Sequence, residues 1–154
     1  MAVTPTIDGV EIKELTTHSD ERGFFREVIR ETDPFFGHFG QWSHSLMHAG
    51  SAKAWHIHRR QTDWWYCIGV LKVALYDTRE DSATRGVLME FLMGEEHGSY
   101  CVRIPPGVAH GCRAVERTHL LYVTSNVYDP DDEGRIAHDD AGIGYDWLAG
   151  PAVK

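Results

Sequence analysis

Cysteine is scarce in this 154-residue chain: Cys67, Cys101 and Cys112 are the three present, an odd set with no CxxC pair. That excludes a disulfide framework and suits buried thiols in a reducing compartment. Long apolar runs are missing as well. No stretch reaches the ~18–20 residues of a membrane helix, and Met1-Ala2-Val3-Thr4-Pro5-Thr6 has neither the charged start nor the apolar centre of an export signal. The expectation is a cytoplasmic protein without a membrane partner. Positive charge is also short, with 15 Lys plus Arg against 23 Asp plus Glu, a formal net charge of −8 and no basic block. A nucleic-acid or anionic-membrane surface is thereby excluded. Helical periodicity is nearly absent; one turn is expected around Thr32–Phe36, with Thr32 as cap and Pro34 in the first turn. Without repeat, low-complexity stretch or linker, residues 1–154 read as a single domain, large enough to bury roughly 70% of its unfolded surface.

What the chain does have is short segments rich in Val, Ile, Leu, Tyr and Trp, punctuated by Gly, Pro, Asp and Asn. This pattern predicts an all-β protein. Strands are expected at Val10–Leu15, Gly23–Ile29, Gln41–Met47, Ala52–His58, Trp64–Tyr76, Gly86–Leu92, Tyr100–Ile104 and Leu120–Val127. So many short strands without helices imply a sandwich or barrel. The polar run Asp129–Arg135 reads as a solvated loop.

Ten histidines are present, and three are placed informatively. In Trp55-His56-Ile57-His58 the two imidazoles share one face of a strand, because side chains alternate with period two. Asp63 follows, and Pro105-Pro106-Gly107-Val108-Ala109-His110 presents a third histidine after a rigid turn. His56, His58, Asp63 and His110 together are a donor set for Zn, Fe, Mn, Co or Ni. HxH, an acid and a Gly, followed later by PxGxxH, resembles the paired motifs of the cupin superfamily, with Asp63 where Glu is usual. The fold this resemblance implies is a cupin: a double-stranded β-helix, or jelly-roll barrel.

A narrower resemblance spans almost the whole chain. Asp20-Glu21-Arg22-Gly23-Phe24-Phe25 with Glu27, Gln41, Lys53-Ala54-Trp55-His56, Ile104-Pro105-Pro106-Gly107-Val108-Ala109-His110-Gly111, Leu121-Tyr122 and Gly144-Tyr145-Asp146-Trp147 resemble, in order, the dTDP-4-dehydrorhamnose 3,5-epimerase family. The chain looks like a divergent member. The resemblance implies a homodimer acting on a nucleotide-linked 4-keto-6-deoxyhexose, most simply dTDP-linked, with no cofactor required. His56 would remove the proton alpha to the ketone and Tyr122 would return one on the other face. Arg22, Phe25, Glu27, Gln41, Lys53 and His110 would bind substrate, with Arg22 reaching across the dimer.

Chemistry supports part of this independently, since an alpha proton is too weakly acidic for imidazole unless the developing enolate is stabilised. Lys53, Arg59 and Arg60 provide local positive charge near the histidines. Two family features have no counterpart in the sequence: the lysine shortly after the base histidine, where Thr62 and Asp63 stand, and an aspartate beyond the Asp-Trp motif that orients the base. Two alternatives follow. In the first, a divalent ion on His56, His58, Asp63 and His110 polarises the ketone in place of the lysine, at the cost of His56 as base. Tyr122 would then move the proton in preference to His119, which lies on the opposite strand face. In the second, the protein is a non-catalytic cupin that binds a sugar nucleotide.

Overall fold

The computed structural model describes residues 3–149. Two five-stranded antiparallel sheets face each other as a jelly roll, the cupin architecture. The strands are β1 (Glu11–Glu14), β2 (His18–Asp20), β3 (Gly23–Phe25), β4 (Gln41–Met47), β5 (Ala52–Ile57) and β6 (Asp63–Ile68), then β7 (Val70–Asp77), β8 (Leu88–Gly94), β9 (Tyr100–Ile104), β10 (Val108–Ala114), β11 (Thr118–Thr124) and β12 (Gly134–Arg135). One sheet has the order β1-β9-β6-β11-β4, the other β12-β5-β10-β7-β8, and β2 with β3 forms a separate hairpin. No helix among the described residues is long and apolar enough to cross a membrane.

Period-two alternation decides what each strand gives to the interior. Leu71, Val73 and Leu75 of β7, Met89, Phe91 and Met93 of β8, and Tyr100, Val102 and Ile104 of β9 form the buried core with Val108, Cys112 and Leu120. Fully burying such side chains stabilises the fold by about 1.5–3 kcal/mol each. The inward positions of β4, β5, β6, β10 and β11 instead include polar residues, and these strands wall the cavity described below. Outside the second sheet, Trp147 packs with Trp55, Ala74 and Ala109. The buried Lys72 fastens this closing segment by donating to the carbonyls of Trp147 and Ala149.

Several boundaries differ from the sequence expectation. Trp64–Tyr76 is two strands broken at Gly69, which sends β6 and β7 into different sheets. The strand expected over Gly23–Ile29 ends at Phe25, because Val28 and Ile29 turn onto the outer face of the first sheet and pack around Trp64 and Cys101. Residues 32–36 form turns without a helix. The helical turn lies instead at Pro130–Asp132, capped by Asp129, whose carboxylate accepts from the Asp131 amide. The run read as solvated therefore contains a buried residue, Asp132, 6% exposed.

Candidate active site

The pairing of β5 with β10 sets His56 directly opposite His110. His58 lies just past the end of β5, and both its ring and that of His56 stack on His110, with centroid separations of 5.4 and 6.2 Å. Across the barrel, β11 turns Tyr122 and Thr124 into the same cavity, while β4 contributes Gln41 and Ser45. The cavity has a volume of about 220 Å³; Lys53 is the one lysine or arginine among the described residues lining it. Its ammonium donates to Ser45 Oγ at 2.7 Å.

Each histidine has a distinct environment. His110 Nδ1 donates to the Val108 carbonyl at 3.1 Å, leaving Nε2 facing Asp63 Oδ2 at 4.0 Å. Burial holds His110 well below the ordinary imidazole range, against the opposing pull of Asp63, so the ring is neutral. His58 Nδ1 donates to the Asp132 carbonyl at 3.0 Å, which leaves Nε2 as the acceptor, 3.5 Å from the Gln61 amide. Gln61 also donates to Asp63 Oδ1 at 2.8 Å, and Trp65 Nε1 donates to Asp63 Oδ2 at 3.1 Å. His56, partly buried, has its Nδ1 3.5 Å from Glu133 Oε1. Burial and then Arg135 lower its pKa, with Glu133 opposing both. Burial raises that of Tyr122, partly offset by a hydrogen bond with Ser43, so the phenol keeps its proton at neutral pH and is available as a donor.

The structure thus brings His56, Tyr122, Gln41, Lys53 and His110 into one cavity. Three other candidates lie outside it. Arg22, its side chain 82% exposed, is tied to Asp20 on the β2–β3 hairpin; Phe25 is 61% exposed on the same hairpin. Glu27 is exposed and sits 3.8 Å from Arg30. That hairpin pairs with neither sheet.

Of the four-residue donor set, the structure brings three members close together. Among the described residues, His58, Asp63 and His110 present ligand atoms within 4.8 Å of one another, and His56 is not in the group. His56 has a different neighbour, the Glu133 carboxylate that β12 brings beside it.

Glu133 was missed because it sits in the run read as solvated. So was Asp132, which accepts from the backbone amides of Arg59, Arg60 and Gln61 at 2.9, 3.1 and 3.1 Å. A usable signal was present: Asp129-Pro130 is an N-cap followed by proline at the first helical position, the start of a turn rather than a free loop. His119 faces away from the cavity as expected, bonded to His44 at 2.8 Å on the outer surface.

Known proteins resemble this chain along nearly its whole length. The sequence model of the dTDP-4-dehydrorhamnose 3,5-epimerase family matches residues 4–154. The chain is 46% identical over 146 residues to the spore coat polysaccharide biosynthesis protein SpsL of Bacillus subtilis, covering 92% of this chain and 96% of that protein. It is 38% identical over 157 residues to the probable low-salt glycan biosynthesis epimerase Agl13 of Haloferax volcanii, covering 94% and 97%. Among solved structures, a dTDP sugar isomerase from Desulfovibrio desulfuricans superposes with a TM-score of 0.89 at 27% identity, over 97% of this chain and 98% of that one.

Proposed function

Because the chain belongs to the dTDP-4-dehydrorhamnose 3,5-epimerase family, we propose that it is a cytoplasmic epimerase or keto-isomerase of a nucleotide-linked 4-keto-6-deoxyhexose, dTDP being the nucleotide. The observation that carries this reading is the convergence of His56 and Tyr122 on one cavity that also contains Lys53. His56 takes the proton alpha to the ketone. Tyr122, held protonated by burial, returns a proton to the carbon from its own side. A cavity of about 220 Å³, below the ~300–1,000 Å³ common for drug-sized ligands, takes the reacting sugar ring and leaves the nucleotide along the mouth. There Lys53 meets the diphosphate and Gln41 the base.

The working form in this reading is a homodimer. The β2–β3 hairpin is exposed throughout, and an isolated two-stranded hairpin is at best marginally stable in water. A second copy would cover it and receive Arg22 and Phe25, with Glu27 beside them, at its own cavity mouth.

The test is proton NMR of a dTDP-linked 4-keto-6-deoxyhexose in deuterium oxide, following C3 and C5. Exchange at C3 alone makes the protein a 3-epimerase or keto-isomerase, and exchange at both carbons a 3,5-epimerase. Binding without exchange refutes the catalytic reading and leaves a sugar-nucleotide-binding cupin.

A second reading is favoured by the proximity of His58, Asp63 and His110. With both Nδ1 hydrogens given to carbonyls, the two Nε2 atoms carry lone pairs beside a carboxylate, a donor set that fits a divalent ion. Such an ion would supply Lewis-acid polarisation of the substrate ketone.

A further inference from the structure

We propose that Glu133 is the positioning residue for His56: its carboxylate holds the imidazole as the tautomer with hydrogen on Nδ1, so that Nε2 carries the lone pair. The inference rests on the reading of His56 as the base. A neutral imidazole has one N–H and one lone pair, and which nitrogen carries which is set by the partner of the other. Glu133 Oε1 lies 3.5 Å from His56 Nδ1, at the outer edge of hydrogen-bond range, with both side chains about three-quarters buried.

The backbone fixes this contact. The two residues of β12 pair with β5 in a register that sets Gly134 against Ile57 and Arg135 against His56. Glu133 immediately precedes that pairing and is thereby carried to the edge of β5. The approach is too close for a side chain at residue 134: a Cβ there would stand 2.8 Å from Ile57 Cγ2 and 3.2 Å from the Ile57 carbonyl oxygen. On the other side, Asp132 pins the segment to the 59–61 backbone. The carboxylate is further held by Arg135, which donates to Oε1 at 3.1 Å, and by a hydrogen bond with the Tyr128 hydroxyl. A carboxylate held from two sides and abutting the imidazole has the geometry of an orienting group.

The test combines a spectroscopic and a kinetic readout. Two-bond proton–nitrogen correlation spectra of the 15N-labelled full chain at neutral pH report each histidine's tautomer, with His56 assigned by its loss in His56→Gln. The wild type is expected to show His56 with hydrogen on Nδ1, and Glu133→Gln a mixture of both tautomers. With the 4-keto sugar, Glu133→Gln should lose about 10²-fold in kcat, with KM within about twofold of wild type, and Glu133→Asp should recover part of the loss. Gly134→Ala, which keeps the carboxylate but pushes β12 off β5, should reproduce both effects. A wild-type His56 with hydrogen on Nε2, or a Glu133→Gln protein with an unchanged tautomer, overturns the proposal. A rise in KM with unchanged kcat also overturns it, by making Glu133 a substrate contact. If the wild type exchanges no substrate proton, the proposed function fails, and the tautomer spectra still decide the role of Glu133.

Discussion

Removing the Asp132 carboxylate should loosen the wall of the site, and the size of the effect follows from its bonds. Asp132 is 6% exposed and accepts from three successive backbone amides, those of Arg59, Arg60 and Gln61. Hydrogen bonds to a charged group contribute about 1.5–3 kcal/mol each, but two of the three donors belong to exposed residues whose amides water can reach once the carboxylate is gone. Asp132→Ala should therefore cost about 2–4 kcal/mol, and Asp132→Asn, which keeps one acceptor oxygen, about half of that. At about 2–4 °C per kcal/mol for a chain of this size, Tm should fall by roughly 5–15 °C in the alanine variant. Burial works to raise the Asp132 pKa, but the three amides and Arg60 outweigh it, and the net shift is downward. A lowered folded-state pKa gives stability that is present above the unfolded value, about 4, and is lost as pH falls through the folded one. The Tm gap between wild type and variant should thus be constant from pH 7 to about 5 and narrow below that. Thermal unfolding followed by circular dichroism over this range is the assay. An alanine variant that melts with the wild type at pH 7 would refute the assignment of Asp132 as the anchor of the 128–135 segment.

Tyr122→Phe should lower the epimerisation rate by about 10²–10⁴-fold while deuterium still enters the alpha position, because general-acid return of the proton is lost and proton removal is not. Product analysis beside isotope exchange checks it, and equal loss of both would remove Tyr122 from the acid role. Gly111→Ala would place a Cβ 2.5 Å from Trp147 Cζ2 and 2.8 Å from Ala54 Cβ. Such overpacking should cost about 1–3 kcal/mol, read as a lower denaturant midpoint and an altered tryptophan emission.

The histidine cluster was legible in the sequence because two local rules place it. Period-two alternation puts His56 and His58 on one side of a strand, and the Pro-Pro-Gly turn delivers His110 at the start of the next. The prediction needed only that β5 and β10 be neighbours, which the barrel provides. Tyr122 and His119 separated to opposite faces for the same reason. What could not be read was any contact between segments more than seventy residues apart. Arg59 to Asp132 is a separation of 73, and nothing in either segment's composition names the other. An acidic run resembles hydrated loop whether or not one of its carboxylates is capping a distant backbone. The hairpin residues Arg22 and Phe25 lie outside the cavity for a different reason: their hairpin pairs with neither sheet, and a single strand's pattern does not say which sheet it will join.

The loss of His56 from the donor group changes the relation between the two functional readings. With four ligands, a bound ion and a histidine base exclude each other, because a coordinated imidazole has no lone pair left for a proton. If the ligands are His58, Asp63 and His110, the three that lie together, His56 stays free beside Glu133. The two readings then make separable predictions for single variants. Calorimetric titration with Zn²⁺ or Co²⁺ should give about one ion per chain in the wild type and in His56→Ala, if three protein ligands form an open site. His58→Ala and Asp63→Asn should each abolish tight binding. The substrate assay should show the reverse ranking at His56, whose alanine variant loses turnover whether or not an ion is present. Metal binding that disappears with His56→Ala would restore the four-ligand set and remove His56 as base. No binding in the wild type, with exchange unaffected by chelation, would leave His58 and Asp63 as the hydrogen-bonded wall that steadies His110.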